Sequence, residues 1–172
     1  MENRTDQIGF GGSCHWCTEA IFLSLKGVSS VEQGWIASSE AKNFFSEAVM
    51  VTFDEQQITL ATLIAIHLHT HSCTSSHSFR DKYLSAIYTR NEQQKIIAGA
   101  ALKNLQEDFM EPIITQILSF HEFKLNKEEY LNYYYSNPDK PFCKNIVKPK
   151  LLEILSRFSM EVDRERMKHL KV

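Results

Sequence analysis

The chain has 172 residues, 43% apolar and 23% charged, with a formal net charge of −2, the make-up of one globular domain with a sizeable core. That balance excludes a strongly basic nucleic-acid-binding surface, and no apolar run reaches membrane-spanning length. The four cysteines, Cys14, Cys17, Cys73 and Cys143, are too sparse for a disulfide-stapled scaffold, so a reducing, cytoplasmic setting is the expectation.

Taken in order, the polar start, residues 1–6, reads as flexible. Ile8 to Gly12 reads as a short strand ending in a glycine turn, and Cys14 to Lys26 as a helix that Gly27 stops. Val28 to Ala37 alternates apolar and polar residues, as does Glu47 to Asp54, with Val49, Val51 and Phe53 on one face. Thr59 to His69 has helical spacing, Leu84 to Tyr88 reads as a strand, and Asn91 with Gln94 forms a capping box that opens a helix to about Phe109. A strand follows over Ile113 to Phe120. Residues 123–149 form an irregular tail rich in Tyr, Asn, Lys and Pro, carrying Cys143, and one more helix lies beyond Pro149. No repeat or linker divides the chain, so residues 1–172 are expected to be a single domain. The order predicts an α+β fold with a ferredoxin-like βαββαβ core, a mostly antiparallel sheet with helices packed on it.

The segment Gly11-Gly12-Ser13-Cys14-His15-Trp16-Cys17-Thr18-Glu19-Ala20 carries the clearest chemistry. A thiol at a helix start lies among unpaired backbone N–H groups and the positive end of the helix dipole, and both favour the thiolate. Cys14 is therefore a candidate nucleophile. Cys17, one turn on, is either a small buried residue or a partner thiol able to oxidise with Cys14. Glu47 opens an apolar strand, where a half-buried carboxyl would serve as a proton donor and a solvated edge residue would not. The run His67-Leu68-His69-Thr70-His71-Ser72-Cys73 contains good metal ligands, but its helical first half spreads them apart. Packing, capping and tuning of a nearby thiolate are the alternatives.

These residues resemble the A-type peptide methionine sulfoxide reductases. Gly12-Ser13-Cys14-His15-Trp16-Cys17-Thr18-Glu19-Ala20 is similar to that family's Gly-Cys-Phe-Trp signature, and Leu25-Lys26-Gly27-Val28 to its stop after the first helix. Ser46-Glu47-Ala48-Val49, Tyr83-Leu84-Ser85-Ala86-Ile87-Tyr88 and the tail from Tyr133 to Cys143 resemble further landmarks in the same order. The resemblance implies reduction of methionine-S-sulfoxide, free or in proteins, by an enzyme that needs no cofactor or metal and is recycled by thioredoxin; a monomer is the default expectation. It implies that Cys14 attacks the sulfoxide, Glu47 and Tyr83 protonate its oxygen, and Cys143 resolves the sulfenic acid on Cys14, with Cys17 as the alternative resolving thiol. Substrate binding would fall to His15, Trp16, Glu19 and Ser78, Trp16 bounding the methyl pocket.

The sequence also departs from that pattern. His15 replaces an aromatic, Ser78 replaces an acid, and Tyr130-Leu131 replaces a His-Gln pair. Two other readings therefore stand beside the reductase: a thiol–disulfide oxidoreductase or redox sensor using Cys14 and Cys17, and a metal-binding or regulatory protein using the histidine cluster.

Overall fold

A computed structural model describes residues 4–77 and 79–170. Strand β1 (Thr5–Gly11) is followed by helix α1 (His15–Leu23) and then by two long strands, β2 (Val28–Ser38) and β3 (Ala41–Asp54). Helix α2 (Leu60–His69), strand β4 (Ala86–Thr89), helix α3 (Glu92–Leu105) and strand β5 (Gln116–Leu125) complete the α+β body. The C-terminal part holds the short helix α4 (Tyr133–Ser136), a π-helical turn (Cys143–Val147) and helix α5 (Lys148–Arg157).

The helices start where side chains can take up free N–H groups. Thr59 accepts from the Thr62 N–H at the head of α2, and Asn91 accepts from Gln94 at the head of α3. Gln94 in turn accepts the Arg90 N–H at 2.8 Å, so the capping signature works as expected, displaced by one residue on its return bond. Helix α1 ends at Leu23, before the expected Lys26, and Gly27 serves the turn that follows with φ at 79°.

The expected open sheet needs correction. β1 pairs antiparallel with β3 and β4, and β3 pairs antiparallel with β2. β5 then pairs antiparallel with β2 and parallel with β4, which closes the sheet into a barrel in the order β1-β3-β2-β5-β4. The ferredoxin-like description omitted this closure because pattern alone does not reveal that one strand has partners on both edges. Two strands are also longer than expected. Residues 41–46 are held by pairing to β2 across a tight hairpin, and Phe123–Leu125 extend β5 at the cost of the expected tail.

Alternation along the strands makes two cores. Ile8, Phe10, Val49, Val51 and Phe53 face outward beneath the helices, joined by Ile21, Phe22, Leu63, Ile64 and Leu151. Ile36, Ala48, Met50, Ala86 and Tyr88 form the second cluster, which fills the barrel. Gly9 makes room there, since a Cβ on it would lie 2.7 Å from Ile36 and 2.9 Å from Tyr88, side chains from two other strands. Glu47 shares parity with Val49, so its carboxyl falls on the helix-covered face, at the end nearest α1. Among the described residues no helix is long and apolar enough to cross a membrane.

Candidate active site

Cys14 is the residue immediately before α1, half-buried, with no side-chain cap on the helix. Hydrogen bonding from the Cys17 side chain and from the backbone at Trp16 and Cys17 favours its thiolate. The Cys17 bond is the largest influence, and together these outweigh burial and the nearby Glu47 charge, lowering the Cys14 thiol from 9.0 to about 7. Cys17 moves the other way, its thiol held protonated by the bond to Cys14 and by burial. The two thiols therefore act on each other in opposite senses.

Alkylation should test this division directly. Iodoacetamide should label Cys14 with a rate that rises through about pH 7, while Cys17 stays unlabelled. Cys17→Ala removes the main donor, so the midpoint should move up and labelling near pH 6 should slow about 3- to 10-fold. An unmoved midpoint would mean that the helix N–H groups alone hold the thiolate.

The turn that presents Cys14 is built from glycine and clamped from behind. Gly12 has φ at 137°, and a Cβ there would meet the His71 ring at 2.6 Å, so neither the conformation nor the space admits a side chain. His67 Nε2 donates to the Gly11 carbonyl at 2.8 Å, His71 leans on the His67 carbonyl, and His71 Nε2 pairs with Ser85 Oγ at 2.7 Å. Burial lowers both imidazoles, His71 to about 4, so both are neutral at physiological pH. His69 pairs with Asp108 at 2.9 Å and also lines the cavity that opens over Cys14. Among the described residues no three His, Cys, Asp or Glu side chains are grouped so that they could hold a metal ion.

Glu47 reaches the helix start from β3. Its Oε2 accepts the backbone N–H of His15 at 3.3 Å and lies 3.1 Å from His15 Nδ1, while Lys82 Nζ is 3.5 Å from Oε1. The carboxyl therefore touches the residue adjacent to the nucleophile. A cavity of about 430 Å³ opens over Cys14, bounded by Gly12, Ser13, His71, Ser72, Tyr83 and, from α5, Lys150 and Glu153. Cys14 and Tyr83 thus share one cavity, with Glu47 behind the helix start.

The remaining expected residues divide. The His15 ring is buried against Trp35 and the Gly34 carbonyl. Trp16 lies beneath the tail: its indole stacks on Tyr133 at 3.8 Å, with Phe142 edge-on at 5.4 Å. Glu19 also belongs to the tail. Its two carboxyl oxygens accept the N–H groups of Asn132 and Tyr133 at 3.0 and 3.1 Å, where the chain turns through Asn132 at φ 53°. Ser78 lies outside the described residues. Cys143 is fully buried in the turn that packs on α1, close enough to Cys17 for its charge to be felt there.

Glu19→Ala should leave the part-buried N–H groups of Asn132 and Tyr133 without their carboxylate, with a loss of about 1–3 kcal/mol in urea denaturation and faster proteolysis within residues 126–142. Unchanged cleavage of the tail would contradict its anchoring role.

Spacing gave no sign of Arg80 or Lys82. Arg80 donates to the carbonyls of Gly12 at 3.0 Å, Ser75 at 2.7 Å and Tyr83 at 2.9 Å, and also to that of Ser72. It fastens the loop before β4 to the nucleophile's turn. Its partners are all backbone oxygens, which leave no mark on side-chain pattern.

Residues 6–161 match the family model described as peptide methionine sulfoxide reductase. A peptide methionine sulfoxide reductase MsrA of Acinetobacter baumannii is 32% identical over 163 residues, covering 87% of this chain and 93% of the relative. The solved structure of reduced Mxr1 from Saccharomyces cerevisiae superposes with a TM-score of 0.70 at 20% identity, covering 81% of this chain and 89% of the other. A second structure, of Mxr1 in complex with Trx2, gives 0.60 at 16% identity, covering 73% and 83%.

Proposed function

The chain belongs to the peptide methionine sulfoxide reductase family, and from that premise we propose that it reduces methionine-S-sulfoxide to methionine, with thioredoxin as the reductant. The observation that carries this reading is the meeting of a thiolate-prone Cys14 and the Glu47 carboxyl at the head of α1, beside a cavity that Tyr83 also lines.

In the first step the Cys14 thiolate attacks the sulfoxide sulfur while Glu47, aided by the Tyr83 hydroxyl, gives a proton to the oxygen. The sulfoxide oxygen and that proton end on Cys14 as a sulfenic acid, methionine leaves, and Glu47 is left as carboxylate. Tail and α1 then supply the thiols for resolution. Cys17 lies one turn along α1 from Cys14, and oxidation removes the Cys14 negative charge that helps hold Cys17 protonated. Cys17 attack on the sulfenic sulfur expels water and forms a Cys14–Cys17 disulfide; attack by Cys143 on Cys17 moves the disulfide to the tail for thioredoxin to reduce. The proximity of Cys143 to Cys17 supports this order over direct resolution by Cys143. Whole-protein reduction of this kind requires the tail to lift, since Cys143 is buried.

Thioredoxin-coupled turnover on the separated S and R epimers tests the reading. Turnover of the S epimer is expected, and its absence would sink the proposal. Cys143→Ser should still release about one equivalent of methionine per enzyme but recycle at least about tenfold more slowly. Undiminished recycling would remove Cys143 from the path and leave Cys17 as the sole resolving thiol.

A further inference from the structure

The steps above employ Cys14, Glu47 and Tyr83, but the cavity over Cys14 has a further wall. Helix α5 contributes Lys150 and Glu153 to it. Residues three apart on a helix are neighbours on one face. Leu151 and Ile154, one position further along in each case, are fully buried in the helix-covered core and fix how α5 sits. Lys150 is half-buried and Glu153 exposed. The Lys150 charge is felt at Cys17 and at His71, a smaller influence than burial at either, so the ammonium stands close to the nucleophile's turn.

Both charges are uncommitted. Among the described residues neither Lys150 nor Glu153 is in an ion pair, even with the other. The histidines of the same wall already have partners. His69 pairs with Asp108 at 2.9 Å, neutral His71 pairs with Ser85, and His77 Nδ1 accepts the Phe79 N–H at 3.1 Å. One cation and one anion therefore lie side by side on a cavity of about 430 Å³, towards the small end of the range for small-molecule sites.

That pattern matches one form of the substrate. Free methionine sulfoxide near neutral pH carries an ammonium and a carboxylate on a single carbon, whereas within a polypeptide both are replaced by neutral amides. We propose that Lys150 and Glu153 are specificity residues that select free methionine-S-sulfoxide, Lys150 meeting its carboxylate and Glu153 its ammonium while the sulfoxide reaches Cys14. The proposal rests on the reductase reading above. It adds no chemical step: the pair discriminates by charge, and the Cys14 chemistry is the same for either form.

Four S-sulfoxides, each assayed for kcat/KM near pH 7 on the full chain with thioredoxin, decide it. They are methionine sulfoxide, its N-acetyl derivative, its amide, and the N-acetyl amide, which carries neither charge and mimics a residue within a chain. The unmodified protein should favour the free amino acid over the N-acetyl amide by about tenfold or more. Lys150→Gln should shrink the preference for the free acid over its amide about fivefold, and Glu153→Gln the preference for the free amine over its acetyl form about threefold, the smaller effect belonging to the more exposed group. Each preference is a ratio within one protein, so a general loss of folding or of thiol reactivity cancels. Equal or better use of the N-acetyl amide by the unmodified protein would overturn the proposal, as would an unmoved ratio in either variant, the result expected of ordinary solvated charges. No turnover of any of the four would overturn the reductase reading and the proposal with it, whereas turnover without these preferences overturns the charge-pair assignment alone.

Discussion

Replacing Cys14 by serine is expected to abolish sulfoxide reduction, by on the order of 10³-fold or more, while leaving the fold at least as stable. The loss follows from chemistry. The serine hydroxyl keeps its proton in the range where the Cys14 thiol is already ionised, about 7, and an alcohol oxygen has no stable counterpart of the sulfenic acid. The stability follows from position. Cys14 is the N-cap of α1 yet makes no side-chain cap, and serine is among the best caps, accepting from the N–H groups two or three residues on. A gain of up to about 1 kcal/mol in urea denaturation is therefore expected together with the loss of turnover. Turnover above about a tenth of the unmodified rate would assign the nucleophile elsewhere, with Cys17 the first to examine.

Glu47→Gln should lower kcat/KM about 10²- to 10⁴-fold, the usual contribution of a positioned acid, with little effect on the thiol. The amide keeps the shape of the carboxyl. Its oxygen can still accept the His15 backbone N–H that Oε2 now takes at 3.3 Å, or its amine can donate to Nδ1, so the helix start stays in place. What disappears is the transferable proton. Glu47 also raises the Cys14 thiol through its charge, so the neutral variant should be alkylated as fast as the unmodified protein or faster near pH 7. Loss of turnover with intact alkylation separates a missing acid from a damaged nucleophile. Parallel loss of both would instead mean that Glu47 serves mainly to hold the turn.

The two substitutions dissect a site whose parts differ in how plainly the chain displays them. Cys14 was legible because everything that activates it is local: the glycines before it, the helix after it and Cys17 one turn on. Glu47 was legible for a related reason, since strand alternation puts it on the same face as Val49 and Val51 and so toward the helices. Period alone did not reveal which helix end it meets. That depends on β3 lying beside β1, whose last residues deliver the turn to α1.

Trp16 and Glu19 illustrate what local pattern leaves out. Both adjoin the nucleophile in sequence, but the tail arrives over more than a hundred positions of chain and takes up their contacts, stacking Tyr133 on the indole and capping its backbone with the carboxylate. The histidine run is similar. Its residue types are those of a metal site, yet helix α2 turns His69 toward Asp108 while His67 and His71 go to the glycine turn.

The amino-acid order by itself determined the elements and their caps, the apolar faces, the thiolate at the head of α1 and the family resemblance. Each of these is decided within a few residues by hydrogen-bond satisfaction, side-chain period or a run of motif positions. Only the tertiary structure decided that β5 closes the sheet into a barrel, that the buried Cys143 turn packs on α1, and that His15 faces Glu47 through the one nitrogen the Gly34 carbonyl leaves free. Those facts depend on contacts between segments far apart in the chain. Such contacts form because burial of whole faces brings the segments together, and no short stretch of sequence encodes the partner it will meet.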